Sequence, residues 1–179
     1  MSNYFKKMMG MRKSPPREKL SIIIWAWIGS FIGVSAVAYI NFKMPGQWDG
    51  VMIIGSFGAS AVLIYGAIDS PLAQPRNLVG GHMLSAVIGV FSYQMLSNSL
   101  WLAAGFAVAT AILVMYVTKT LHPPGGATAL IAVIGSNHIH DLGYWYSLVP
   151  VGAGALIMLF FALLINNIPK NRRYPVFWY

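Results

Sequence analysis

The 42 residues from Asn77 to Thr118 contain no Lys, Arg, Asp or Glu. A run of about 18 or more mostly apolar residues is long enough to cross a bilayer as a helix. This stretch therefore holds two crossings, joined by the polar turn Ser97-Asn98-Ser99. Over the whole chain 57% of the residues are hydrophobic and 9% are charged, whereas roughly a quarter are charged in an ordinary globular domain. The sequence predicts an integral membrane protein with one compact domain.

Charged or turn-rich points divide the chain into six apolar segments, four of them long enough to cross a membrane. The second is borderline and interrupted by glycine, and the fifth, with 13 residues, would span about 20 Å as a helix. We predict an all-α polytopic protein with a basic cytoplasmic segment (1–19), a transmembrane domain (20–168) and a basic, aromatic cytoplasmic tail (169–179). The segments are Leu20–Phe42, Gly50–Ile68, Asn77–Leu96, Leu100–Thr118, Gly125–Asn137 and Tyr144–Ile168.

Positive charge indicates how the segments are oriented. Six cations precede the first segment and three follow the last. If all six segments cross, eleven cations lie inside and one outside; if the second and fifth are re-entrant, the split is nine to three. Because cytoplasmic loops carry the excess of Lys and Arg, we expect six crossings with both termini cytoplasmic. The formal charge of +8 is then explained by attraction of the cations to anionic lipid headgroups. No nucleic acid partner is expected.

A short repeat links the two weak segments. Gly58–Leu63 and Gly126–Ile131 lie 68 residues apart and are identical at three of six positions. The first copy falls in segment two and the second in segment five, so an offset of three crossings reverses direction through the bilayer. This predicts two inverted three-helix repeats with short or broken second and fifth helices, as in many secondary transporters. The alternative is that these small residues serve only helix packing.

The glycines of the repeats suggest an anion site. Pro123 and Pro124 favour an extended entry followed by a helix start. Gly125 and Gly126 would leave backbone amides unshielded in a first helical turn, which carries free donors and a partial positive charge. Phe57-Gly58 would offer a second helix start from the opposite side. Opposed helix N-termini near the midplane would suit a small monoanion.

Four polar side chains are candidates for the same site. His122 precedes the helix start and can donate to an anion or carry a proton, or it can simply tie the loop to a carbonyl. His82, early in segment three, is a functional candidate because it is ionisable within the membrane; a buried histidine with satisfied partners is an equal alternative. Ser60 and Thr128 occupy equivalent repeat positions, and their hydroxyls either line the site or bond back to their own helices.

Other polar residues are assigned to the borders. Arg76 and Asn77 are placed at a cytoplasmic entrance, with an anchoring role for Arg76 as the alternative and a helix N-cap role for Asn77. His138, His140 and Asp141 are interpreted as a polar external loop, because three close ligands without a distant fourth are a weak metal signal. The chain has no cysteine, so no thiolate metal site is predicted, and no cofactor is expected.

Three stretches in order along the chain carry a family resemblance: "GSFGASAVLIYG", "SPLAQPRNLVGGH" and "LHPPGGATAL". They resemble the HPP family of integral membrane proteins over about Leu20 to Ile168. The family is commonly described as having four spans, whereas the charge distribution here favours six segments. Some plant-plastid and cyanobacterial members are nitrite transporters, which implies nitrite or a similar small anion as substrate.

The leading hypothesis is a transporter of a nitrite-like monoanion in an inner or plasma membrane, with the anion and membrane lipids as partners and homo-oligomerisation left open. An anion channel of the same fold is the first alternative, and a structural or interaction subunit without flux is the second. No Ser/His/Asp or paired-carboxylate arrangement is visible, so we do not expect an enzyme.

Overall fold

The structure, a computed structural model, describes residues 3–8, 13–43 and 53–179. Within these ranges all regular structure is helical, and four helices are long and apolar enough to cross a membrane. The predicted start of the second segment, Gly50, lies outside the described residues. The helices are α1 (Asn3–Lys6), α2 (Leu20–Lys43), α3 (Ser56–Gly66), α4 (Pro75–Leu96), α5 (Leu100–Val117), α6 (Pro123–Ile134), α7 (Asn137–Leu142) and α8 (Ser147–Asn166).

Prolines set two of the helix starts. α6 begins at Pro123 after an extended His122 (φ −141°, ψ 102°), as predicted from the diproline. α4 begins at Pro75 after an extended Gln74. The interpretation of Asn77 as an N-cap is therefore wrong: it lies within the first turn because Pro75, which lacks the N–H that a helix start leaves unpaired, begins the helix two residues earlier.

The two short helices lie side by side within the molecule. α3 has eleven residues and α6 twelve, which corresponds to about 16–18 Å, well short of a ~30 Å hydrocarbon core. The last five residues of α3, Val62–Gly66, are wound more widely than an α-helix. The Ile64 carbonyl there accepts a hydrogen bond from the Asn166 side chain at 2.8 Å. A side chain thus supplies a hydrogen bond to the backbone at this helix end, which lipid could not supply.

Glycines let the helices approach closely. On α4, a Cβ at Gly89 would lie 2.5 Å from the Ala129 carbonyl oxygen of α6. On α2, Cβ atoms at Gly29 and Gly33 would collide with the ring of Tyr65 on α3. Small residues at these contacts are typical of helix packing in membranes, where close backbone approach replaces the hydrophobic driving force. α6 thereby packs on α4 and α5, and α3 packs on α2.

Side-chain bonds join several elements at one end of the molecule. Arg172 Nη2 donates to the Tyr65 carbonyl at 2.8 Å, and the Tyr174 hydroxyl donates to the Ala73 carbonyl at 2.6 Å. Burial, with a smaller contribution from Tyr65, raises the pKa of Tyr174, so its hydroxyl keeps the donated proton. The C-terminal ends of α3 and α8 and the beginning of α4 therefore lie together at this end of the molecule.

The opposite end is marked by two other contacts. The Ile53 amide, just before α3, donates to Asn41 Oδ1 at the end of α2. His140 of α7 stacks on Tyr93 with ring centroids 3.8 Å apart, near the end of α4. Large apolar side chains cover the outer faces of the long helices, which suits a lipid environment: Trp27, Phe31, Phe42, Phe91, Trp101, Leu113, Phe160 and Leu164 are exposed.

Candidate functional site

A cluster of five buried polar side chains lies where the two short helices meet α4. Its members, called the His–Ser cluster below, are Ser56 and Ser60 of α3, His82 of α4, His122 and Thr128. All five are no more than 1% exposed. Buried polar groups inside a membrane protein are rare and require hydrogen-bond partners. Here each of the five side chains hydrogen-bonds to at least one other member of the cluster.

Ser60 stands at the centre of the cluster. Its Oγ lies 2.6 Å from His82 Nε2 and 2.9 Å from His122 Nε2. The two imidazole rings meet edge to face with centroids 4.9 Å apart. One serine hydroxyl therefore bridges two histidines that are forty residues apart in sequence.

The outer nitrogens of both rings also have partners. His82 Nδ1 lies 2.7 Å from Thr128 Oγ1, and Thr128 Oγ1 lies 2.8 Å from Ser56 Oγ. His122 Nδ1 lies 2.8 Å from the carbonyl oxygen of Leu72. The cluster is thus one continuous hydrogen-bonded chain from Ser56, at the start of α3, to Leu72, in the loop before α4.

Local backbone structure positions the two histidines. His122 precedes α6 in an extended conformation, and its ring meets the His82 ring of α4 edge to face. A Cβ at Gly81 would lie 2.6 Å from the His122 Cβ, so only glycine admits this approach. The Leu72 carbonyl comes from a short 3₁₀ turn, Pro71–Ala73, whose start is capped by the Ser70 side chain.

Backbone amides at the starts of the two short helices were predicted to face an anion. The amides of Phe57, Gly58 and Gly125 donate to the carbonyls of Ile54, Gly55 and His122 respectively. Gly125 packs tightly on α4, whereas Gly58 lies on the exposed surface. The meeting point of the short helices is therefore lined by side-chain donors and acceptors, while these three amides are used locally.

Phe57 lies at the edge of the cluster, whereas Gly126 lines a separate groove. Gly126 lines an apolar groove of about 540 Å³ between α5 and α6, together with Val108 and Pro123. Phe57 is buried, and its ring meets the His82 ring edge to face with centroids 5.4 Å apart. Phe57 thus shields the cluster, and Gly126 faces away from it.

The predicted entrance residues tie the loop before α6 to α4. Arg76 donates to the Thr118 carbonyl at 2.6 Å, and Asn77 Nδ2 donates to the Leu121 carbonyl at 2.8 Å. Arg76 is half-buried and lies six residues, or about 9 Å along the helix, before His82. Both side chains hold the segment that carries His122 in place.

The predicted external loop forms α7. His140 Nε2 donates to the Val133 carbonyl at 3.2 Å, and its ring stacks on Tyr93, while His138 is exposed. Within the part of the chain that the structure describes, no three His, Asp or Glu side chains are grouped as metal ligands. The contacts of His140 with Val133 and Tyr93 hold α7 against the ends of α6 and α4.

Three members of the site were not singled out from the sequence. Ser56 lies four residues before Ser60 and so shares its helix face, a signal that was available. The Tyr146 hydroxyl donates to the Thr128 carbonyl at 3.2 Å. No sequence signal points to this tyrosine or to the Leu72 carbonyl, because only tertiary packing brings them to the cluster.

The fold and the buried cluster define a polytopic α-helical membrane protein. The family described as "HPP, transmembrane region" matches residues 15–175, and this chain belongs to that HPP transmembrane family. Two transmembrane proteins of Dictyostelium discoideum are 46% and 44% identical to it over 98% of its length. The chain spans 57% and 63% of those relatives. No solved structure matches it significantly.

Proposed function

We propose that this protein carries a small inorganic monoanion across a membrane, with nitrite as the expected substrate. The observation that carries the proposal is the His–Ser cluster, because ionisable side chains inside a membrane domain mark substrate or ion pathways. The resemblance to a family with nitrite-transporting members supplies the substrate.

The chemistry of the cluster suits an anion. Its side chains offer N–H and O–H donors, and the hydrogen bonds recorded for the described residues join no carboxylate to it. A monoanion with two oxygens would be held by exchanging bonds within the cluster for bonds from Ser60, Thr128 and a histidine to its oxygens. Arg76, one to two turns away on α4, adds positive potential on the approach.

Full burial of the cluster favours a carrier over an open channel. Groups that line a permanently open pore are exposed to water, whereas His82, His122, Ser60 and Thr128 are each 0% exposed. Access from either side then requires the short helices to move against their neighbours. Alternating access about a central site works in this way.

The pairing of the short helices supports an inverted repeat. Thr128 of α6 contacts Ser56 of α3, and Ser60 of α3 contacts His122 at the start of α6. Ser60 and Thr128 are the equivalent positions of the repeat, and each contacts a residue at the start of the other short helix. A two-fold axis would relate the packing of α5 on α4 to the packing of α2 on α8. We therefore propose six antiparallel segments in two inverted halves.

The membrane orientation follows from charge. Arg172 reaches carbonyls at the start of α2 and the end of α3, so the basic C-terminal region shares an end with the region before α2. We propose that this end is cytoplasmic in an inner or plasma membrane, since the excess of cations lies there.

Uptake into proteoliposomes tests the proposal. We expect saturable nitrite uptake, with nitrate, formate and chloride as competitors and protein-free liposomes as the leak control. Thr128→Val, which keeps the shape and removes the hydroxyl, should lower uptake at least tenfold. Thr110→Val on α5, at a half-exposed position without a recorded side-chain hydrogen bond, is the matched control and should keep wild-type uptake. Folded protein that moves none of the four anions would refute the proposal.

A further inference from the structure

The hydrogen-bond polarity of the His–Ser cluster follows from one fixed point. A carbonyl oxygen only accepts, so the Leu72 carbonyl requires a proton on His122 Nδ1. A neutral His122 then accepts at Nε2 from the Ser60 hydroxyl. Ser60 has one hydroxyl proton, which it donates to His122, so it accepts a hydrogen bond from His82 Nε2. With both rings neutral, the two histidines must therefore be opposite tautomers.

The other side of the cluster can accommodate one more proton. A neutral His82 accepts at Nδ1 when the Thr128 hydroxyl turns its proton to the ring instead of donating it to Ser56. If His82 takes up a proton at Nδ1, Thr128 becomes the acceptor and can turn its own proton to the Pro124 carbonyl, 3.3 Å away, or to Ser56. Both protonation states leave every ring nitrogen with a partner.

Ser60 is placed to move that proton between the rings. The Nε2–H bond of cationic His82 breaks as an O–H bond forms at Ser60. The original O–H bond of Ser60 breaks as an N–H bond forms at His122 Nε2. One positive charge has then passed from His82 to His122, Ser60 ends as the neutral alcohol it was, and His82 keeps its proton on Nδ1.

The groups around the bridge do not compete for this proton. Tyr146 faces the cluster from the beginning of the α8 region and donates to the Thr128 backbone carbonyl. Tyr65 of α3 donates to the Met158 carbonyl of α8, and Arg76 of α4 donates to the Thr118 carbonyl. From α6 the facing group is the Thr128 hydroxyl. The titratable groups that hydrogen-bond to Ser60 are therefore the two histidines.

We propose that the His82–Ser60–His122 bridge is a proton relay, and that the protein moves its anion together with a proton. This rests on the proposed anion transport. A monoanion is costly in a buried, low-dielectric site unless a positive charge compensates it, and a proton on the cluster supplies that charge. The chain from Ser56 to Leu72 runs along the same direction as α3, so the relay leads from the interior of the domain towards the half-exposed loop before α4.

Coupling is measured in proteoliposomes that contain a pH-sensitive dye. Inward nitrite flux through the wild type should acidify the interior by about one proton per anion beyond the leak of protein-free liposomes. An inward proton gradient should accelerate nitrite uptake several-fold. Nitrite uptake without acidification, and without a response to the gradient, would overturn the relay and leave the transport function standing. Absence of all anion flux would overturn the transport function and the coupling together.

Two substitutions separate the relay from a structural role of Ser60. Ser60→Ala removes the bridge and should abolish gradient-driven uptake, whereas Ser60→Thr keeps a hydroxyl and should retain part of it. Ser35→Ala, on the exposed face of α2, should behave as the wild type. Equal gradient response in Ser60→Ala and wild type would contradict the proposal.

The tautomers can be read without any transport. In protein labelled with ¹⁵N-histidine, near-neutral NMR spectra should show His122 protonated at Nδ1 and His82 at Nε2. His138→Gln and His140→Gln variants assign the two remaining histidines of the chain. If His82 and His122 share one tautomer, the hydrogen-bond chain is not as inferred and the relay is overturned, whatever the flux assays give.

Discussion

At the scale of single residues, the His–Ser cluster joins five buried polar side chains into one hydrogen-bonded network. Ser60 and Thr128 come from two helices, and His82 and His122 come from a third helix and a loop. A buried network of this kind is costly if one partner is removed, because the remaining groups lose their hydrogen bonds in a low-dielectric environment. Single substitutions should therefore have large effects on function.

Neighbouring glycines of the HPP motif should differ sharply. Gly125→Ala places a Cβ 2.7 Å from Ser85 Oγ and 2.9 Å from the Gly81 carbonyl oxygen, which should cost about 1–3 kcal/mol by overpacking. Gly126→Ala meets only Val108 Cγ1 at 3.8 Å and should be tolerated. Thermal unfolding in detergent and nitrite uptake would both be measured.

The pair is its own control, because the two substitutions add the same methyl group one residue apart. We expect a lower melting temperature and reduced uptake for Gly125→Ala alone. If Gly126→Ala lowers uptake as much as Gly125→Ala, the added methyl group blocks access to this helix start, and the anion would sit there instead of at the side-chain cluster.

At the scale of elements, the short helices depend on their neighbours. α3 is held against α2 by Tyr65, whose hydroxyl also donates to the Met158 carbonyl of α8 at 3.2 Å. A helix of eleven residues has little stability of its own. Its position relative to the cluster is therefore set by these contacts.

The α2–α3 contact can be tested with alanine. At Gly33 an added Cβ would lie 2.7 Å from Tyr65 Cζ and closer still to its hydroxyl, so Gly33→Ala should force the ring out of place. We expect a lower melting temperature and weaker uptake. Gly105→Ala, on α5 with nothing within 4 Å of the new Cβ, should be neutral or slightly stabilising because alanine favours helix. Identical behaviour of the two variants would show that the α2–α3 contact is loose.

The end of α3 depends on Arg172. Arg172 donates to the Tyr65 carbonyl and to Asn166 Oδ1 at 2.8 and 3.1 Å. Because hydrogen bonds to charged groups contribute about 1.5–3 kcal/mol, Arg172→Gln should lower the melting temperature by several degrees. The exposed neighbour Arg173 gives the control variant Arg173→Gln, and equal effects of both would mean that charge alone, not the contact, stabilises this end.

At the scale of the whole molecule, the number of crossings is the main prediction. Six crossings with a cytoplasmic N-terminus place Asn98 outside, whereas four crossings with two re-entrant segments place it inside. The chain has no native cysteine, so Asn98→Cys is a clean probe. We expect a membrane-impermeant maleimide to label it in intact cells.

Two further positions calibrate the labelling. Both arrangements place His138 outside and Lys170 inside, and the side chains at all three positions are exposed. His138→Cys should therefore label in intact cells and Lys170→Cys only after permeabilisation. An Asn98→Cys protein that labels like Lys170→Cys would contradict the six-segment arrangement.

Much of the fold was predictable from the sequence. The ends of the long helices agree with the predicted segments to within three residues, because charged or turn-rich residues end apolar runs at the borders of the bilayer. The pairing of the cluster was not predictable. His82, His122, Ser60 and Thr128 were each singled out by chemistry, but their distances depend on how α4 packs against two short helices.

The sequence by itself determined a helical membrane protein with two short, glycine-rich helices, since hydropathy and helix-breaking residues act locally along the chain. Only the tertiary structure decided what those helices present to each other. Close packing at Gly81, Gly89 and Gly125 brings the polar side chains together, while the amides of Phe57, Gly58 and Gly125 donate to carbonyls three residues back in the chain. That choice rests on contacts between residues up to 72 positions apart, which no local pattern encodes.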